Sequence, residues 1–263
     1  MKGIEKFEDA TPEKIGISLK RNISDKDVKF IAEENPLEVY DKLPKLTSDV
    51  SYLGILLRDG DNDLFWKSSI QTTLHRPIWA FEVNNFYRIC NIKGINKITN
   101  EDELSKRLEA LLGLKDNYEH HSIILIKLET RYLFRAAYVL DVKERLTQAD
   151  KGKVDNINNA SHVIKEFFWK KQQDKVFPWT RLGYTYDWMG GEANIKDTDG
   201  KMIEPYIGVG SFIILHGNEL LEYTSFVTDG GGVKEEMVRS TTFKLKEFFE
   251  KEALIKMIVS GTL

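Results

Sequence analysis

Arg181, Gly183, Thr185 and Asp187 occupy alternate positions of one short run, and they are the side chains best suited to chemistry in this chain. An arginine presents a planar fork that matches phosphate or carboxylate; a threonine supplies a hydroxyl, and an aspartate an acceptor or general base. Gly183 has no side chain and leaves room for a ligand. In an extended strand successive side chains point to opposite faces, which puts Leu182, Tyr184, Tyr186 and Trp188 together on the other face. The polar face reads as a pocket wall, with Asp187 and Arg181 as catalytic candidates and Thr185 as a ligand contact. Where the aromatic stripe borders a cleft, Tyr184, Tyr186 and Trp188 join the ligand contacts by stacking a base. The competing structural reading is an Arg–Asp pair on a half-buried strand whose aromatic stripe is core.

Arg135 stands in the apolar segment Tyr132-Leu-Phe-Arg-Ala-Ala-Tyr138. A buried guanidinium needs a partner, so Arg135 either pairs with an internal acid or faces a pocket that holds an anion. If Arg135 and Arg181 line one cleft, the natural ligand is an anionic small molecule such as a nucleotide.

The run Phe177-Pro-Trp-Thr-Arg-Leu-Gly-Tyr-Thr-Tyr-Asp-Trp188 resembles the signature of an uncharacterised group of bacterial proteins. The resemblance extends to Leu111-Leu112-Gly113-Leu114, Leu133-Phe134-Arg135 and Gly208-Val209-Gly210-Ser211-Phe212, and covers residues 104–227. It implies a shared core shape more than a chemistry, and it is compatible with a toxin, effector or defence setting. Two departures bear on activity. Ser211 stands where similar sequences carry Glu, and Ala136-Ala137-Tyr138-Val139 replaces a Pro-Cys-Pro-Asp segment. If those acids do chemistry in the group, this chain lacks it.

Other chemistry-bearing patterns read as structure. Asp59-Gly-Asp-Asn-Asp63 opens like a calcium loop, but Leu64 replaces the sharp-turn Gly and Ile70 the bidentate Glu, so no metal site is expected. Asp229-Gly-Gly-Gly232 has neither phosphate-loop spacing, and Glu235 and Glu236 would repel an anion there. His120 and His121 begin a strand and point to opposite faces, so they cannot chelate one metal together. Lys165-Glu-Phe-Phe-Trp-Lys-Lys171 interleaves bases with aromatics, yet on a helix the two Phe face the core and the lysines are solvated ends. Cys90 is the single cysteine, which excludes an internal disulfide, and its apolar setting marks it as a buried, inert thiol.

Composition narrows the class. Of 263 residues 41% are hydrophobic and 11% aromatic, enough for a packed core. The 38 basic residues nearly balance the 41 acidic ones, so no global field draws the chain to nucleic acid or an anionic membrane. No run approaches the roughly 18 apolar residues of a membrane span, and the charged N-terminal residues do not read as a signal peptide. The expectation is a soluble, cytoplasmic protein, its partner an anionic small molecule or another protein. No cofactor is specified.

The elements that must position these residues read as a single α+β domain over 21–263, behind a partly ordered arm at 1–20. Its sheet is mixed but mostly antiparallel, with flanking helices. Strands are expected over 50–57, 77–83, 86–92, 122–128, 206–215 and 220–227, with 86–92 paired to 77–83 across Asn84-Asn85. Helices are expected to open at Ser24, at the Asn100-Glu-Asp-Glu103 capping box, over 158–173, and over 241–260. Residues 194–200 read as a hairpin tip. Two functions follow: an enzyme or former enzyme handling an anionic, nucleotide-like ligand, or a non-catalytic interaction or ligand-binding module. In the second, the loops at 59–63, 190–205 and 228–234 form the partner surface.

Overall fold

The computed structural model describes residues 44–58, 71–73, 78–114, 120–135, 142, 183–190, 195–196, 202–203, 207–214, 219–221, 225–228, 233–236 and 241–260. The arm at 1–20, the helices expected from Ser24 and over 158–173, the turns at 59–63 and 229–232, the Lys165–Lys171 run and Arg181 lie outside them. In chain order the strands and helices are β1 (Val50–Arg58), β2 (Gln71–Thr73), β3 (Ile78–Glu82), α1 (Val83–Ile92), α2 (Glu101–Leu111), β4 (His120–Glu129), β5 (Leu133–Arg135) and β6 (Tyr184–Tyr186). They continue with β7 (Ile195–Lys196), β8 (Met202–Ile203), β9 (Ile207–Ile214), β10 (Glu219–Leu221), β11 (Ser225–Thr228), β12 (Val233–Glu236), β13 (Thr241–Lys244), α3 (Leu245–Glu250) and α4 (Glu252–Ser260).

Two apolar strands organise a nine-stranded sheet. One edge of β4 carries β1 along its length, from Val50 opposite Glu129 to Leu57 opposite Ser122. The other edge is shared by β13, where Phe243 faces Ile123, and β10, where Leu221 faces Lys127. β9 is arranged in the same way: β3 lines one edge, and β5 and β6 share the other. β1 and β3 join the halves through Leu53–Glu82 and Gly54–Phe81. Each of these pairings is antiparallel, the α+β architecture expected from the sequence. The antiparallel β7–β8 ladder places Ile195 opposite Ile203, while β11 and β12 pair with each other in a separate ribbon.

Burial on both faces explains the continuous apolar runs of β4 and β9, since a strand covered on both sides has no solvent face to mark with polar residues. Ile123 and Leu125 of β4 and Val209 of β9 pack under the helices with Phe86, Leu104, Leu108, Leu111 and Phe248. Ile124, Ile126 and Leu128 of β4 and Phe212 and Ile214 of β9 point the other way, against Leu46, Leu53 and Val142. Burying each large aliphatic or aromatic side chain contributes about 1.5–3 kcal/mol.

The segment 86–92, expected as a strand, is helix α1. Its buried residues Val83, Phe86, Tyr87 and Cys90 recur at i, i+3, i+4 and i+7, one face of a helix. Asn84-Asn85, expected as a hairpin turn, is the first turn of that helix: Glu82 Oε1 accepts from the Asn84 N–H at 3.0 Å and Oε2 from that of Asn85 at 2.6 Å. A carboxylate at an N-terminus satisfies orphan donors and meets the positive end of the helix dipole. The Asn85 side chain then accepts from the Gly210 N–H at 2.7 Å and pins α1 to β9.

The C-terminal stretch 241–260, expected as one helix, divides. β-branched Thr241 and Thr242 and the buried Phe243 extend the sheet beside β4 before the chain turns into α3 and α4. Leu245, Phe248, Ile255 and Ile258 are buried as their spacing predicts. Tyr87 stacks on Phe248 at 4.9 Å and donates its hydroxyl to the Phe248 carbonyl at 2.7 Å, fastening α3 to α1. The described residues of the strand expected over 220–227 belong to β10 and β11, which lie in different sheets.

Candidate functional site

Helix α2 sets the geometry of the site. Asn100 caps it by accepting from the Glu103 N–H at 2.9 Å, and Leu104, Leu108 and Leu111 bury its apolar stripe. At its C-terminus Gly113 takes φ 70°, and the Leu114 N–H reaches the Glu109 carbonyl at 2.8 Å while that of Gly113 reaches Ala110 at 3.2 Å. This reversal needs a residue that tolerates the left-handed region, which Gly does without a Cβ clash. It leaves the Leu111 and Leu114 carbonyls for partners from elsewhere in the chain.

Those partners come from residues 183–188. Thr185 Oγ1 donates to the Leu111 carbonyl at 2.6 Å and accepts from the Val209 N–H at 3.0 Å. Trp188 Nε1 donates to the Leu114 carbonyl at 2.9 Å. Gly208 makes the approach possible: a Cβ there would run into Thr185 Oγ1 and stand 2.5 Å from the Leu111 carbonyl oxygen. Gly183, at φ 85°, gives its carbonyl to the Ser211 N–H at 3.0 Å.

Asp187 lies at the centre. Arg107 of α2 grips it with both terminal nitrogens, Nη1 to Oδ1 at 2.9 Å and Nη2 to Oδ2 at 2.7 Å. Lys93, which ends α1, adds Nζ to Oδ2 at 2.6 Å. The Asp187 side chain is fully buried, Lys93 is 2% exposed and Arg107 14%. Burial by itself would raise the Asp187 carboxyl, but the two cations and their hydrogen bonds outweigh it and hold the group below the ordinary carboxylate range. Burial pushes the Lys93 ammonium down, while Asp187 pulls it back toward the charged form. The two shifts favour different protonation states of one pair; the Asp187 direction is the firmer, because two cations and not one act on it. A carboxylate held this way is a poor proton acceptor near neutral pH, since its conjugate acid forms only well below the operating range.

The other sequence candidates are distributed around this centre. Tyr184, Tyr186 and Trp188 are all buried, so the aromatic stripe is covered by protein. Thr185 and Asp187 reach the helices and are buried as well, so every residue of 184–188 is buried, where a pocket wall was expected. Arg135 lies on the sheet face away from the helices. It is fully buried, its Nη2 donates to the Pro44 carbonyl at 2.8 Å and the Val142 carbonyl at 3.1 Å, and its guanidinium stands 5.1 Å from the Phe212 ring centre. The structure does not bring Arg135 to Asp187. Ser211, in the register position opposite Phe81, has a buried hydroxyl with no hydrogen-bond partner among the described residues.

Lys93 and Arg107 were missing from the sequence reading. Arg107 had a usable signal: it sits three residues after Leu104 and four before Leu111, so it interrupts the apolar stripe of α2. A charge in that place must find a buried partner. Lys93 was hidden by the strand assignment of 86–92, which obscured its place at a helix C-terminus.

A second buried polar contact joins α2 to β4. Glu109 Oε1 meets His120 Nδ1 at 2.7 Å, with 2% and 8% of the two side chains exposed, and also accepts from the His120 N–H at 3.3 Å. The Ser105 hydroxyl, on the same helix, bonds to the His120 backbone carbonyl and not to its ring, so the three residues do not form a relay. His120 is buried and His121 half-buried, as expected of neighbours on a strand. Cys90 is buried in α1, and burial drives its thiol far above the ordinary range. Among the described residues no group of His, Cys, Asp and Glu has the proximity a metal ion needs, and no helix is long and apolar enough to cross a membrane.

Comparison with protein-family models, curated proteins and solved structures finds no match to this chain.

Proposed function

We propose that this chain is a non-catalytic interaction or ligand-binding module in which the Thr-Tyr-Asp-Trp segment is a structural fastening. The observation that carries the reading is the threefold engagement of Asp187 by Arg107 and Lys93. With Thr185 and Trp188 bound to carbonyls at the end of α2, the chemically capable groups of the segment are spent on joining two helices to the sheet edge. The resemblance of residues 104–227 implies an acid at position 211, and the serine that stands there agrees with this reading. A thermal-shift screen against nucleotides, cyclic nucleotides, sugar phosphates, NAD and short single strands, run on the wild type and on Asp187→Asn, tests it. The module predicts that Asp187→Asn lowers the midpoint with every compound and without any. A ligand shift abolished by Asp187→Asn at an unchanged apo midpoint, or turnover lost with it, overturns the proposal.

The second reading, an enzyme or former enzyme for an anionic, nucleotide-like ligand in an effector or defence setting, draws on Arg107. Its guanidinium lies at the accessible margin of the cluster, the one member of the three with a tenth or more of its side chain exposed. An anion arriving there would meet a planar donor already oriented by Asp187. A phosphate-dependent stabilisation lost in Arg107→Lys supports this reading over the first.

A further inference from the structure

We draw no further inference here: the strongest candidate, the buried Glu109–His120 pair that ties α2 to the first residue of β4, is engaged within the fold through the imidazole and backbone N–H of His120, and nothing in the structure shows what ligand or partner would meet it.

Discussion

Arg107 holds both carboxylate oxygens of Asp187 across 80 residues of sequence, and through that grip the middle of α2 is fixed to the turn that follows β6. Neither side chain reaches bulk water freely, so the contact is made in a medium where charges interact strongly and are costly to leave alone. Removing one member is therefore a different experiment from removing the pair.

Asp187→Ala strands Arg107 and Lys93 in the interior, and breaking a buried ion pair from one side costs about 3–5 kcal/mol. Arg107→Ala leaves Asp187 with Lys93 and costs less. Urea unfolding of both single variants and the double variant gives their coupling. We expect the double variant to be less destabilised than the sum of the singles by about 0.5–3 kcal/mol. Strict additivity would show that the observed contact carries no energy.

The same cluster fixes a pH dependence. Asp187 has a folded pKa below its unfolded value of about 3.9, so the folded chain releases this proton more readily than the unfolded one. Its contribution is complete above the unfolded value and is lost as pH falls through the folded one. The stability difference between wild type and Asp187→Asn should be flat from pH 7 to 5 and shrink on further acidification. A difference that stays constant down to pH 2 contradicts the assignment.

Gly208→Ala probes the docking of β9, Thr185 and α2. The added methyl meets the Thr185 hydroxyl and the Leu111 carbonyl, and the carbonyl belongs to a helix end that cannot rotate away as a flexible side chain would. Overpacking of this kind costs about 1–3 kcal/mol. Gly208→Ala combined with Thr185→Ala should recover part of the loss, because one of the two obstructions is gone; calorimetric midpoints of the three proteins measure it.

How much of this was legible depends on the range of the interaction. The cores of β1, β3, β4 and β9 and the whole of α2 were visible, because continuous apolar runs and an Asn cap are local signals backed by burial. Helix α1 was not, because Asn84-Asn85 carries the same composition whether it turns a hairpin or donates two N–H groups to Glu82. The choice is made by what Phe86, Tyr87 and Cys90 pack against, which no local window contains. The site divided in the same way. The special character of 183–188 was legible, and the burial of Thr185 and Asp187 beneath two helix ends was not. Lys93 lies 94 residues before Asp187, and only the folded sheet brings them together.

Ser211 offers the last prediction. Its hydroxyl is buried at 2% exposure on a central strand, next to the Phe81 register position, with no hydrogen-bond partner among the described residues. A buried polar group left unsatisfied costs about 1–3 kcal/mol, whereas its apolar replacement of nearly the same shape costs little. Ser211→Ala should leave the thermal midpoint unchanged or raise it, against the usual direction of a core substitution. Ser211→Glu places a carboxylate among Phe81 and Val209 and should unfold the protein unless a cation follows it inward. A stabilised Ser211→Glu would show that β9 keeps an acid-binding partner, and it would move the functional reading back toward catalysis. A destabilised Ser211→Ala would instead show that the hydroxyl is engaged, and that the strand retains a polar role that its burial conceals.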